Sequence, residues 1–233
     1  MTVGRTGDPG PLAARDAYAL WAPTYDRETA VSVLENRGVE ALTPPLSGRA
    51  LLDAGCGTGR RLPSPSPDGP SLVVGLDLVL DMLVQGHDTM ADGAQLVAGD
   101  LRALPLPAGL FDVIWCRLAL GHLPALEGAY REIARVAREG ACVIVTDFHP
   151  EAARAPSVRT FRDADGALHA VEHHLHEVAD HEREAGRAGL RLDARLDLMV
   201  GPEVRRFYED AGALRRYEEQ RGLPIVLVLR LVG

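Results

Sequence analysis

A chain of 233 residues with 46% hydrophobic residues can bury a sizeable core, which excludes wholesale disorder and fits one generous α/β domain better than two. Its formal net charge of −8 disfavours a nucleic-acid backbone as the main partner, and its apolar runs are strand-length, far short of a membrane span. Three cysteines, Cys56, Cys116 and Cys142, lie in or beside predicted strands with no CxxC spacing, which points to reduced core thiols in a cytoplasmic protein.

Met1 to Pro11 is rich in Gly and Pro and reads as a mobile tail, without the basic-then-apolar pattern of a secretory signal. From Ala13 to about Arg37 an amphipathic pattern carries Tyr18, Leu20, Trp21, Tyr25, Val31 and Leu34. Pro23 forces a break there, so two short helices are expected before the sheet. Ala50 to Ala54 is the first strand. A helix is due near Gly57, yet Pro63, Pro65, Pro67 and Pro70 follow at once. Interior proline costs roughly 3 kcal/mol, so that helix is short or replaced by a loop.

Ser71 to Asp77 is the second strand, followed by a helix carrying Leu80, Met82 and Leu83. Gln95 to Ala98 and Phe111 to Cys116 are the third and fourth strands. A helix over Leu123 to Ala137 places Leu126, Tyr130, Ile133 and Val136 on one face, and Ala141 to Thr146 is the fifth strand. Apolar strands joined by helices indicate a parallel sheet covered on both faces. The pattern then changes: Ser157 to Phe161 and Leu168 to His176 flank the turn Asp163-Ala164-Asp165-Gly166 as an inserted β-hairpin. A helix including Asp180 to Ala188, a strand over Leu190 to Leu198, helical Glu203 to about Arg221 with a break at Gly212, and a closing strand Pro224 to Val232 complete the chain. Residues 1–48 form a tail and helical cap and 49–233 the sheet domain, with the hairpin inserted at about 150–178.

The stretch Leu51-Leu52-Asp53-Ala54-Gly55-Cys56-Gly57-Thr58-Gly59 is a buried strand running into a glycine-rich turn. Glycines let backbone N–H groups and a helix start approach a ligand closely. The dinucleotide fingerprint G-x-G-x-x-G would need glycine where Arg60 stands, so a smaller cofactor without a diphosphate fits better. The second strand ends in Asp77, placed for a ribose. Plainer roles stand beside these: Asp53 as a brace of the turn, Asp77 as a helix N-cap, Asp100 as a loop residue, Tyr25 and Trp115 as packing.

In family order, the first motif Leu52 to Gly59, the acid Asp77, Gly99-Asp100-Leu101 with Leu104-Pro105-Leu106-Pro107, and Phe111 to Cys116 leading into Leu118 to Leu123 resemble the class I S-adenosylmethionine-dependent methyltransferases. The resemblance is strongest to the small-molecule group that contains ubiquinone/menaquinone and malonyl-carrier methyltransferases, and it covers roughly Tyr18 to Asp147. It implies a seven-stranded Rossmann-like sheet in the order 3-2-1-4-5-7-6, last strand antiparallel, with helices on both faces and the hairpin after strand five. It further implies S-adenosylmethionine as methyl donor and S-adenosylhomocysteine as product. Asp77 would bind both ribose hydroxyls, Asp100 the adenine amino group and Leu101 the ring. Tyr25, Asp53, Gly55, Cys56, Gly57, Gly59, Leu78, Met82, Gly99, Cys116 and Leu118 would complete the cofactor site. The chain departs from the family in Val79-Leu80, where Ser-Pro is common, in Glu139-Gly140-Ala141 before strand five, and in the proline run.

Methyl transfer needs in-line approach in a pocket that excludes water, and a protonated acceptor benefits from a base. His122, after strand four, and His149, just past strand five, stand at the carboxyl edge as candidate catalytic bases. Tyr18, Trp21, Arg159, His174 and His176 are candidate substrate contacts, with Arg159 suited to an acidic or phenolate oxygen. Alternation puts His174 and His176 on one hairpin face with Glu172, and His173 on the other. No metal site is expected from that set, because i,i+2 strand neighbours need a further element to close a coordination shell. The expected activity is transfer of the donor's methyl to an O, N or C atom of a small-molecule acceptor, by a monomer or homodimer with no nucleic-acid partner and no membrane span. A non-methylating rearrangement and a non-catalytic, cofactor-binding partner subunit are the alternatives.

Overall fold

The computed structural model describes residues 10–153 and 159–233. Helix α1 (Ala14–Trp21) runs into a 3-10 turn at Ala22–Thr24, and α2 (Ala30–Leu42) follows, so Pro23 does separate two helices. Thr29 starts α2 with a reciprocal cap: its Oγ1 accepts from Ser32 N–H at 3.1 Å and Ser32 Oγ accepts from Thr29 N–H at 2.9 Å. Next come β1 (Ala50–Ala54), β2 (Leu72–Asp77), α3 (Leu80–Gly86), β3 (Gln95–Ala98), β4 (Phe111–Arg117), α4 (Glu127–Val136) and β5 (Ala137–Phe148). The rest of the chain is α5 (Pro150–Ala153), β6 (Thr160–Arg162), β7 (Leu168–Ala170), α6 (Val178–Arg187), β8 (Arg191–Met199), α7 (Arg205–Asp210), α8 (Leu214–Gln220) and β9 (Pro224–Val232).

The sheet has seven strands in the order β3-β2-β1-β4-β5-β9-β8, which is the expected order counted along the chain. β9 alone is reversed, pairing antiparallel with both β5 and β8. Side-chain alternation divides the core into two layers. Leu52, Ile114, Val143 and Leu229 pack with Tyr130 and Ile133 of α4, while Leu51, Val113, Ile144 and Val228 pack with Leu34 and Val39 of α2. The carboxyl ends of β1, β4 and β5 meet at one edge of the sheet, where α/β folds bind ligands.

Between β1 and β2 the described residues hold no helix; Ser66 to Pro70 form a turn closed by Gly69 N–H to Ser66 O at 3.1 Å. Prolines 63 to 70 therefore act as the sequence implies. α3 instead packs on the glycine turn, and a Cβ at Gly86 would collide with the backbone carbonyl of Thr58. Backbone cannot yield as a side chain can, so Gly86→Ala is expected to destabilise the fold by about 3 kcal/mol in urea unfolding. A loss below about 1 kcal/mol would show that α3 slides freely.

Glu203 to Arg221 is helical with the expected interruption: a 3-10 turn and α7 precede Gly212, with φ +63°, and α8 follows it. Two expectations need revision. β5 extends well beyond Ala141 to Thr146 at both ends. The second hairpin arm stops at Ala170 rather than His176, because the following backbone bonds elsewhere: Glu172 N–H to Leu12 O at 2.8 Å and His174 N–H to Gly121 O at 2.7 Å. The start of the first arm at Ser157 and the tail up to Pro9 lie outside the described residues. Among the described residues no helix is long and apolar enough to cross a membrane.

Candidate active site

β1 ends in a turn whose Gly55 and Cys56 N–H groups both donate to Leu76 O, at 2.7 and 2.9 Å. Gly57 has φ +60°, and a Cβ there would lie 3.2 Å from Met82 Cε and Tyr25 Cε1. Positive φ and close approach both require glycine at this position. Asp77 spans the turn and the approach to α3, accepting from Gly57 N–H at 2.8 Å through Oδ2 and from Val79 N–H at 2.9 Å through Oδ1. It is not the N-cap of α3, which is Val79. Burial pushes the Asp77 carboxyl up from its ordinary range, while these N–H donors pull it back.

Asp53 does not brace the turn through backbone groups. Its Oδ1 is buried with no hydrogen-bond partner among the described residues, and burial pushes its pKa up to about 7. An unsatisfied carboxylate oxygen one residue before the turn fits a ligand that brings a cationic donor, as the ammonium of S-adenosylmethionine would. Asp100 fits less directly, because Arg102 donates to it from Nε at 3.0 Å and from a terminal nitrogen at 2.6 Å. That pairing holds the Asp100 carboxyl below its usual range. Cys116 is buried in the core, while Leu78, directly after Asp77, is 44% exposed.

Residues that the sequence reading left out anchor this edge. Glu35, on the buried face of α2, accepts from Arg117 at 2.8 and 2.6 Å, from Arg61 at 2.9 Å and from Thr146 Oγ1 at 3.2 Å. Its place in the apolar stripe with Leu34, Val39 and Leu42 was the available signal. Arg60, which breaks the dinucleotide fingerprint, donates to Asp26 O at 3.0 Å, and Thr58 Oγ1 donates to Asp26 Oδ1 at 2.6 Å. Together they hold the segment after α1 down over the glycine turn. Leu118, at the end of β4, takes the left-handed conformation with φ +50°; its N–H is held by Thr146 O at 3.1 Å and Thr146 Oγ1 at 2.9 Å. A branched residue in that region stores roughly 1–2 kcal/mol.

A cavity of about 810 Å³ adjoins the turn, with Tyr25, Arg60 and Leu118 in its wall. Trp21, Phe148, Phe207 and Tyr208 give it an aromatic lining, and Arg27, Arg60, Arg159 and Arg216 outnumber its single acid, Glu28. Arg159 lies over Phe148, 4.9 Å from the ring centroid, and donates to Tyr18 Oη at 2.8 Å and His122 Nε2 at 2.9 Å. Trp21 and Arg159 thus reach the cavity, whereas Tyr18 and His122 stand behind Arg159. His122 Nδ1 meets Glu172 O at 3.0 Å, so its proton is on Nδ1 and Nε2 accepts. Burial, reinforced by the Arg159 charge, lowers its pKa to about 3.

The other histidine expectations change. His149 Nδ1 accepts from Glu151 N–H at 3.3 Å at the start of α5, and Nε2 lies 3.4 Å from Asp197 Oδ1 on β8. Its ring is absent from the wall of this cavity, so the structure does not bring it to the space beside the glycine turn. His176 donates to Leu123 O at 2.9 Å, and His174 lies 3.4 Å from Glu172 Oε1. Neither lines the cavity, because the strand ends before them. His173, assigned to the opposite face, does line it.

A family model described as a methyltransferase domain matches residues 52–145. The chain is 34% identical over 176 residues to malonyl-[acyl-carrier protein] O-methyltransferase of Salmonella typhimurium, covering 74% of this chain and 67% of that protein. It is 39% identical over 136 residues to demethylmenaquinone methyltransferase of a Roseiflexus species, covering 54% of this chain and 56% of that one. A crystal structure of an S-adenosylmethionine-dependent methyltransferase from Mesorhizobium loti superposes with a TM-score of 0.65 at 20% identity, over 88% of this chain and 100% of that one, and supports the fold alone. With its sheet order, its glycine turn and these relatives, the chain belongs to the class I S-adenosylmethionine-dependent methyltransferases.

Proposed function

We propose that the chain methylates a small acceptor with an aromatic or extended apolar body and an anionic group. The observation that carries this reading is the cavity, where four arginines and four aromatic side chains besides Tyr25 surround a space joined to the glycine turn. Bound S-adenosylmethionine supplies an electrophilic methyl on a sulfonium and leaves as S-adenosylhomocysteine. Asp53 Oδ1 would hold its ammonium and Asp77 its ribose hydroxyls, with Gly55 to Gly59 allowing close approach. Tyr25 and Met82 would cover it, and Gly99, Asp100 and Leu101 would border the adenine. Arg159, fixed by His122 and Tyr18 and stacked on Phe148, holds the acceptor's anion. His122, neutral with its lone pair taken, positions Arg159 and does not act as base. The carboxylate of a carrier-bound acyl group is a second reading, favoured by the Salmonella relative together with the same arginines. Three free cysteines accord with a reducing, cytoplasmic setting, and light scattering would separate monomer from homodimer.

Asp77→Ala removes the charged acceptor that also ties Gly57 to α3. Calorimetry with S-adenosylhomocysteine is expected to show affinity reduced about 100-fold, since hydrogen bonds to a charged group contribute about 1.5–3 kcal/mol. Unchanged affinity in a folded variant would refute the ribose assignment. A methyl-transfer assay on malonyl-carrier and on hydroxylated aromatic acids then decides between the two acceptor readings.

A further inference from the structure

We infer that His173, oriented by Asp147, is the general base of this methyl transfer, so that the accepting atom is a hydroxyl that enters the cavity still carrying its proton. The inference rests on the acceptor cavity proposed above. Among the described residues the buried side-chain atoms without a hydrogen-bond partner are Asp53 Oδ1, Asp147 Oδ2 and Nε2 of His149, His173 and His181. Those of Asp147, His173 and His181 meet at one place. His173 Nε2 lies 3.7 Å from Asp147 Oδ1, and His181 Nε2 lies 3.5 Å from Asp147 Oδ2. A buried carboxylate between two imidazoles is satisfied when each ring turns an N–H toward it, which puts both protons on Nε2. The two imidazoles hold the Asp147 carboxyl well below its usual range, so it stays ionised.

The rings differ in what their other nitrogen meets. His181 Nδ1 is taken by the Tyr130 hydroxyl at 2.9 Å, deep in the core. His173 Nδ1 has no hydrogen-bond partner among the described residues, and His173 is in the cavity wall beside Phe148, Leu118 and Arg159. Its lone pair is therefore available to an acceptor. The backbone makes room for the pair at Gly121, where a Cβ would collide with His173 Nε2 and lie 2.8 Å from Asp147 Oδ1. Charges and titratable groups nearby are Asp147 of β5, His181 of α6, neutral His122 backed by Arg159, and Glu172, whose carboxylate turns to His174.

The step balances without a further reactant. The acceptor's O–H proton moves to His173 Nδ1, the oxygen's electron pair forms the bond to the methyl carbon, and the methyl–sulfur pair returns to sulfur. The positive charge passes from the sulfonium to the imidazolium, facing Asp147, and leaves as a proton to solvent. A carboxylate acceptor is already ionised near neutral pH and has no proton for the dyad to take.

The test uses the full chain, nitrogen-15 labelled at histidine, saturated with S-adenosylhomocysteine. Long-range nitrogen–proton spectra are expected to place the His173 proton on Nε2, and Asp147→Asn to give a mixture of tautomers. A His173 proton on Nδ1 in the native chain overturns the inference. With S-adenosylmethionine and 4-hydroxybenzoate as probe, the native chain is expected to form the methyl ether. His173→Gln should lower kcat about 100-fold with KM little changed. Formation of the methyl ester, or a kcat unaffected by the substitution, overturns the role of His173. Failure of the native chain to bind S-adenosylhomocysteine would instead strike the cofactor assignment on which the proposal stands.

Discussion

Glu35→Ala is expected to destabilise the protein by about 3–5 kcal/mol, the range for removing one partner of a buried ion pair. Glu35 is almost wholly buried, and its carboxylate faces two guanidiniums, of which Arg117 is 8% and Arg61 19% exposed. Without it, Arg61 and Arg117 remain close together and lose the carboxylate that bonds both; Asn36 Oδ1, at 3.2 and 3.1 Å, offers only a neutral acceptor, and the Asp53 carboxyl acts on them only through space. The same network joins α2 to the ends of β4 and β5 and to the loop after the glycine turn, so cofactor affinity should fall with stability. Urea unfolding measures the first effect and calorimetry the second. Glu35→Gln, which keeps an acceptor and the side-chain volume, should lose less than the alanine variant. A cost below about 1 kcal/mol for alanine would mean that the arginines find water instead.

Asp53→Asn should act in opposite senses on stability and on binding. The folded pKa is raised to about 7, against an unfolded value near 4, so the native state binds this proton more tightly than the unfolded chain does. The resulting stability is fully present below the unfolded value and is lost as pH rises through about 7. The difference between those two values corresponds to about 4 kcal/mol, the cost of carrying the buried charge at pH 8. Asparagine carries no such cost. The variant should therefore match the native chain near pH 4 and exceed it by up to about 4 kcal/mol at pH 8. It should also bind S-adenosylmethionine at least about 10-fold more weakly, having lost the charge proposed to face the ammonium. Native affinity should rise with pH through about 7, and the variant's should not. A variant no more stable than the native chain at pH 8 would show that the ionised carboxylate is satisfied by other means.

The sheet and the glycine turn were legible because both are written in neighbouring residues. Apolar runs with alternating faces specify strands, Pro23 and the prolines at 63 to 70 specify where helices stop, and Asp77 follows directly from its strand end. The histidines were not legible in this way. Period-two alternation from Leu168 to His176 assumed one continuous strand, yet the chain leaves the hairpin after Ala170 to bond with Leu12 and Gly121. That departure turns His173 into the cavity and sends His176 to Leu123.

By itself the sequence determined the order of elements, the glycine turn and the acids placed beside it, since these depend on backbone conformation and burial over a few residues. Only the tertiary structure decided that Asp53 Oδ1 has no partner among the described residues, that Glu35 compensates two buried arginines, and which histidine meets Asp147 beside the cavity. Those outcomes depend on side chains far apart in the chain meeting at one sheet edge. No local period encodes which of several histidines arrives there with a nitrogen unpaired.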